Sequence, residues 1–229
     1  MIHPVIRFYL SLVKAVIKKA IPVLHGFTVE EFRGREQNQH GPEYEVKLTV
    51  EEGKPDREQL IRQWDYKNKG QFSYGDGITY KKGMAFLDAY GTIEDWGCGT
   101  AYAKNFVKKS KYIGIDGSQS NFTDKVVDLR EYTSKTDCIF MRDVLEHNYG
   151  WKNILANAVN SFTKRMVLII FTPFADVTQQ IATNYCPNVP DISFRKEDLT
   201  EFFNQFSYTE ESLEADTQYK TEHIFYIEK

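Results

Sequence analysis

Thr92-Ile93-Glu94-Asp95-Trp96-Gly97-Cys98-Gly99-Thr100 is the stretch that decides how this chain folds. Its first five residues read as a short strand and Gly97 to Thr100 as a tight turn, with Ala101 to Lys109 as the helix that follows. Downstream, Lys111 to Asp116 and Asp124 to Asp128 each read as a strand ending in an acid, and Thr136 to Met141 as a fourth strand. Trp151, Ile154, Leu155, Ala158, Val159 and Phe162 form a helical stripe, and Met166 to Phe171 is an apolar run of the kind buried on both faces of a parallel sheet. Strands alternating with helices predict an α/β fold, because parallel strands need crossover connections that cover the sheet. The end of the chain breaks the alternation. After a helix around Leu199, Phe202, Phe203 and Phe206, two strand-like runs, Phe206 to Leu213 and Glu222 to Glu228, follow with no helix between them, which predicts an antiparallel hairpin at the sheet edge.

Upstream, a capping-box spacing at Asp56 and Gln59 starts a short helix through Leu60, Ile61 and Trp64, and a second helical stretch runs from Thr79 to near Gly91. Residues 56–229 are thus expected to form the main domain. Before it, apolar residues from Val5 to Ile21 recur at helical spacing with Arg7, Lys14 and Lys18 opposite, so residues 1–25 read as a basic amphipathic helix. Its charges interrupt the run too often for a membrane span or a signal-peptide core. Such a helix either docks on its own domain or reaches an anionic membrane surface or a partner enzyme. Residues 26–55, polar and glycine-containing, read as a connector or lid.

The balance of 29 Lys and Arg against 32 Asp and Glu, a net charge of -3, offers no general field for a nucleic-acid backbone, so no nucleic-acid partner is expected. Cys98, Cys138 and Cys186 have neither zinc-site spacing nor the density of a disulfide scaffold, which fits a reducing, cytoplasmic setting with peripheral membrane contact left open through residues 1–25.

From Asp95 through the closing hairpin, the chain resembles the class I S-adenosylmethionine-dependent methyltransferases, beginning with the Asp-x-Gly-x-Gly pattern at Asp95, Gly97 and Gly99. The resemblance implies the Rossmann-like fold of that family: a mostly parallel seven-stranded sheet with a C-terminal antiparallel hairpin and helices on both faces. It also implies S-adenosylmethionine as cofactor. In that family the turn Gly97-Cys98-Gly99 admits the methionyl part of the cofactor and Asp95 helps to hold its ammonium group. Asp116, about twenty residues after the turn, matches the ribose-binding acid, with Gly117 and Ser118 beside it. Asp128 and Leu129 match the adenine-binding position, and Arg142 begins the stretch that lines the pocket after the fourth strand.

The glycine turn and second-strand acid are shared with nicotinamide-binding domains. There, however, the third glycine would fall at Tyr102, and Asp95 would repel a pyrophosphate. For a hydroxyl acceptor a base is needed, and His147 is the candidate, its intrinsic pKa suiting proton transfer near neutrality; the alternative is that it only shapes the pocket. Asp143 and Asp176 are weaker candidates, and two carboxylates without a third ligand give no ground for a metal site. Loops Tyr66 to Gly77 and Pro173 to Phe194 are expected to build the acceptor pocket. The acceptor implied by the resemblance is a small molecule, a sugar hydroxyl of a glycan or polysaccharide. A non-catalytic scaffold that keeps only the fold is the competing class.

Overall fold

The computed structural model describes Trp64, Tyr66 and residues 69–183 and 189–229. The amphipathic segment 1–25, the connector 26–55 and the helix expected to start at Asp56 lie outside the described residues. Among the described residues, no helix is long and apolar enough to cross a membrane.

The elements run in the order α1 (Ile78–Leu87), β1 (Thr92–Trp96), β2 (Lys111–Asp116), β3 (Lys125–Val126), β4 (Thr136–Arg142), α2 (Trp151–Ser161), β5 (Phe162–Ile170), β6 (Gln179–Thr183), β7 (Pro190–Ser193), α3 (Lys196–Thr200), β8 (Ser207–Glu214) and β9 (Thr221–Glu228). Seven strands form one sheet in the order β3-β2-β1-β4-β5-β9-β8, and β6 pairs with β7 apart from it. The five strands from β3 to β5 are parallel, while β9 runs antiparallel to both β5 and β8. The mostly parallel sheet with its closing hairpin is therefore as expected.

Strand alternation divides the core into two layers. Ile93, Phe140, Val167 and Ile169 face α1, whereas Trp96, Ile139, Met141 and Leu168 face α2 and α3. Helices thus cover both faces. On the first face Gly83 lets α1 lie directly on the sheet: a Cβ there would stand 2.6 Å from the Phe140 ring and 3.0 Å from Val167.

Several elements differ from expectation, among them the helix around Leu199 to Phe206, which is α3, Lys196–Thr200, continued by turns. The helix predicted over Ala101 to Lys109 is a 3-10 segment, Tyr102–Phe106. Ala101 stands in the left-handed region at φ 52, which a helix cannot continue through, and Asp88 draws the N–H groups of Lys108, Lys109 and Ser110 to its carboxylate. The third strand shrinks to Lys125–Val126: at one end the Asp124 carboxylate accepts the Gly114 N–H at 2.7 Å, and at the other Asp128 starts a turn whose carbonyl accepts from Glu131 and Tyr132. Phe162 opens β5 instead of closing α2. Lastly, the segment Pro173 to Phe194 is not all loop, since it carries the β6–β7 hairpin.

Candidate functional site

The carboxyl ends of β1, β2 and β4 open on a cavity of about 670 Å³, within the range of small-molecule sites. The turn after β1 forms its floor. Gly97 and Cys98 both donate their N–H to the Ile115 carbonyl, at 2.8 and 3.0 Å, which bends the chain back over β2. Gly97 has φ 81, and a Cβ there would stand 2.3 Å from a Val144 methyl, so this position requires glycine on two counts. Gly97, Cys98 and Gly99 all line the cavity. The segment 69–77 closes over the turn: Gln71 donates to the Ala101 carbonyl at 2.8 Å, and the Thr100 hydroxyl donates to the Phe72 carbonyl at 2.8 Å. Tyr66, Lys69, Tyr74 and Gly75 thereby join the lining, as expected for this loop.

Asp116, the last residue of β2, faces the cavity with Gly117 and Ser118. Its Oδ2 accepts the Gly99 N–H at 2.8 Å and its Oδ1 the Ser118 N–H at 2.9 Å, while the Ser118 hydroxyl donates to the Trp64 carbonyl at 2.7 Å. Burial pushes the Asp116 pKa up and the N–H groups of Ser118 and Gly99 pull it down, leaving it raised overall. Asp128 and Leu129 line the next wall. Asp128 is bound through both oxygens to Arg130, which lines the cavity beside it, with Nη2 to Oδ2 at 2.5 Å.

Asp95 is placed differently. It does not line the cavity, is 3% exposed, and accepts the Tyr112 hydroxyl at 2.5 Å. Burial raises its pKa to about 7 against the pull of that hydrogen bond. The Asp95 carboxyl is thus sealed beside a tyrosine and is not part of the cavity lining, where the resemblance puts it at the ligand ammonium.

Arg142, at the end of β4, is both cavity wall and structural hub. Its guanidinium donates to the Thr79 hydroxyl (3.1 Å), the Tyr80 hydroxyl (3.0 Å) and the Tyr74 carbonyl (2.9 Å), and pairs with Asp143 (2.6 Å) and Glu222. One cation thus serves two carboxylates, and burial with Asp143 nearby raises Glu222 to about 7 despite Arg142. Asp143 lines the cavity in the left-handed conformation, φ 56, and its Oδ1 is buried without a hydrogen-bond partner. Three residues on, Glu146 is fully buried and accepts the Phe171 N–H at 2.7 Å; burial holds its pKa well above the usual carboxylate range.

His147 lines the cavity at the far end of this segment, its ring centroid 5.0 Å from that of Trp64 and 5.3 Å from that of Phe171. Its Nδ1 lies 3.1 Å from the Pro190 carbonyl and 3.2 Å from Asp191 Oδ1, both on β7. Asp176, the other acid considered, is exposed and away from the cavity. Among the described residues, no group of three or more His, Cys, Asp or Glu side chains is gathered for a metal ion. None of the described residues of the segment Pro173 to Phe194 lines the cavity; the hairpin stands behind His147 instead. The polar lining on that side comes from Asp216, Thr217 and Gln218 in the β8–β9 turn, which nothing in the local sequence pattern signals.

No protein-family model matches the sequence, and no curated protein is similar enough to count as a relative. Among solved structures the chain is similar to the magnesium protoporphyrin IX methyltransferase ChlM of Synechocystis with bound SAH: 15% identity, TM-score 0.50, covering 75% of this chain and 93% of that one. It is also similar to a Burkholderia thailandensis 1,6-didemethyltoxoflavin-N1-methyltransferase, at 13% identity and TM-score 0.50, covering 67% and 79%. A third, a Rhodobacter sphaeroides protein provisionally named a Zn-dependent alcohol dehydrogenase, has 9% identity and TM-score 0.53, covering 76% and 99%. At such identities the likeness is one of architecture, and the sheet described above is the Rossmann-like fold that the methyltransferase neighbours share.

Proposed function

We propose that this protein is an S-adenosylmethionine-dependent methyltransferase that methylates a hydroxyl group, the acceptor being a sugar of a glycan or polysaccharide. The observation that carries the reading is one cavity bounded, in chain order, by the Gly97–Gly99 turn, Asp116 and the Asp128–Leu129 wall, with His147 at its other end. The residues present fit the cofactor. The glycine turn leaves room for close backbone approach, and Asp116 keeps acceptor capacity beyond its protein partners, since an ionised carboxylate offers about four lone-pair sites. Leu129 supplies an apolar wall for a base, and Asp143, which lines the cavity beside Val144, is the carboxylate we assign to the ammonium group. The ChlM neighbour, with its bound SAH, points the same way.

A nicotinamide dinucleotide suits this site less well. Tyr102 occupies the place of the third glycine, and a 3-10 segment of five residues replaces the helix whose N-terminus holds a pyrophosphate.

When bound, the cofactor supplies an electrophilic methyl group on a sulfonium. The chain's task is to align an acceptor with it and to remove a proton. His147 would take the acceptor's hydroxyl proton, while the cofactor, held by the glycine turn, Asp116 and the Asp128–Leu129 wall, would supply the methyl group and carry away the leaving sulfur. Aromatic rings at Trp64, Tyr74 and Phe171 beside polar groups at Lys69, Thr217 and Gln218 suit a sugar, whose faces are apolar and whose rim is hydroxylated. The basic segment 1–25 would carry the enzyme to a membrane-borne acceptor or a partner enzyme.

Incubation with methyl-labelled cofactor and a panel of sugars, glycans, phenols and RNA tests the reading. Label is expected in a sugar hydroxyl; transfer to phenol alone overturns the acceptor assignment, and cofactor binding without any transfer favours a scaffold. Deleting residues 1–25 is expected to abolish binding to anionic liposomes, and unchanged binding removes the membrane role.

A further inference from the structure

His147 is held by a device that the methyl-transfer reading does not itself require. Two acceptors face its Nδ1: the Pro190 carbonyl at 3.1 Å and Asp191 Oδ1 at 3.2 Å. A carbonyl can only accept, and an ionised carboxylate likewise, so the neutral imidazole carries its proton on Nδ1. The two ring nitrogens point in divergent directions, which leaves the Nε2 lone pair turned away from β7 on a ring that lines the cavity. Asp191 is fixed in its turn: it is 1% exposed, and its Oδ2 accepts the Tyr219 hydroxyl at 2.8 Å. Tyr219 directly follows the turn residues that line the cavity, and its ring lies 5.6 Å from that of Phe171. Three elements distant in sequence therefore converge on one histidine.

We propose that Asp191 is a positioning residue: it keeps His147 in the Nδ1–H form and stabilises the imidazolium produced when Nε2 takes the acceptor's proton, with Tyr219 holding the carboxylate in place. The inference rests on the methyltransferase reading for its purpose but not for its geometry. Removal of the proton breaks the acceptor O–H bond and makes an N–H bond at Nε2, and the positive charge so formed faces Asp191. Among the described residues, the other titratable groups near the ring are Asp143 and Glu146 on its own segment and Tyr219 from the β8–β9 turn; Trp64 and Phe171 are uncharged.

Nitrogen-15 NMR of the imidazoles in the full-length protein, without cofactor, tests this directly, with the His147 signals assigned by their loss in His147→Gln. The wild type is expected to show Nδ1–H and a bare Nε2, and Asp191→Asn to lower the His147 titration midpoint by about one pH unit. Turnover of Asp191→Asn should fall by about 10- to 100-fold with the acceptor KM and cofactor affinity unchanged. A wild-type Nε2–H tautomer overturns the proposal, as does an Asp191→Asn protein whose tautomer and titration match the wild type. The wild-type spectrum decides the tautomer even if the variant fails to fold. Failure of the methyltransferase reading looks different: no label transfer, with the Nδ1–H tautomer intact.

Discussion

Asp95 and Asp116 lie near the carboxyl ends of neighbouring parallel strands and project from the same face of the sheet, yet one is shut inside the protein and the other lines the cavity. The register explains it. Asp95 is level with Gly114, so Asp116 stands two residues, about 6.6 Å, nearer the carboxyl edge. At that depth Asp95 meets Tyr112 across the strands and burial raises its pKa to about 7, whereas Asp116 meets the N–H groups of the glycine turn and of Ser118. Position along the strand, not the identity of the acid, separates a buried carboxyl from one that lines the cavity. Rim residues should therefore govern function with little effect on folding, and residues one pleat inside should do the reverse.

The largest expected effect is at the rim. His147→Ala should reduce turnover by about 10² to 10⁴ with cofactor affinity nearly unchanged; single-turnover kinetics alongside calorimetry measures both, and retained turnover would demote the histidine to packing. Next, Asp116→Ala should weaken cofactor binding by roughly 1 to 3 kcal/mol, the range for losing a hydrogen bond to a charged group. Asp95→Asn serves as its counterpart and should leave that affinity within about twofold, a difference of roughly 0.4 kcal/mol. Equal losses from the two variants would erase the distinction between rim and interior.

The last effect is on stability rather than function. With its pKa raised to about 7 in the folded chain, against about 4 when unfolded, Asp95 keeps its proton in the native state over a range where the unfolded chain has released it. The native state binds more protons there, so stability falls as pH rises from about 4 through 7 and stays low above. Asp95→Asn keeps an acceptor for Tyr112 but cannot ionise. Relative to the wild type, it should gain roughly 2 to 3 kcal/mol between pH 5 and pH 8 in urea unfolding. A parallel pH dependence in the two proteins would mean that Asp95 ionises freely.

The same contrast governs how much was legible in the sequence. The glycine-turn side of the cavity is built from contiguous text: the glycine turn, Asp116 to Ser118, and Asp128 with Leu129 follow one another, and short-range spacing places them. What that text does not carry is depth within the sheet, which is why Asp95 was expected to touch the ligand; the depth depends on the pairing of Asp95 with Gly114. The acceptor side is non-local. Asp191 and Tyr219 lie far from His147 along the chain, and Asp191 reaches it because the β6–β7 hairpin folds behind the segment after β4. That hairpin is not legible locally: Gln179-Gln180-Ile181-Ala182-Thr183 has too little apolar alternation to read as a strand.

The central claim is that this edge of the sheet accommodates a sulfonium nucleoside. Titration calorimetry of the full-length protein with S-adenosylmethionine, S-adenosylhomocysteine and a nicotinamide dinucleotide puts it to the test. Saturable one-to-one binding of the first two, with no heat from the third, is the predicted result; binding of the dinucleotide with no affinity for either sulfur nucleoside would contradict the account.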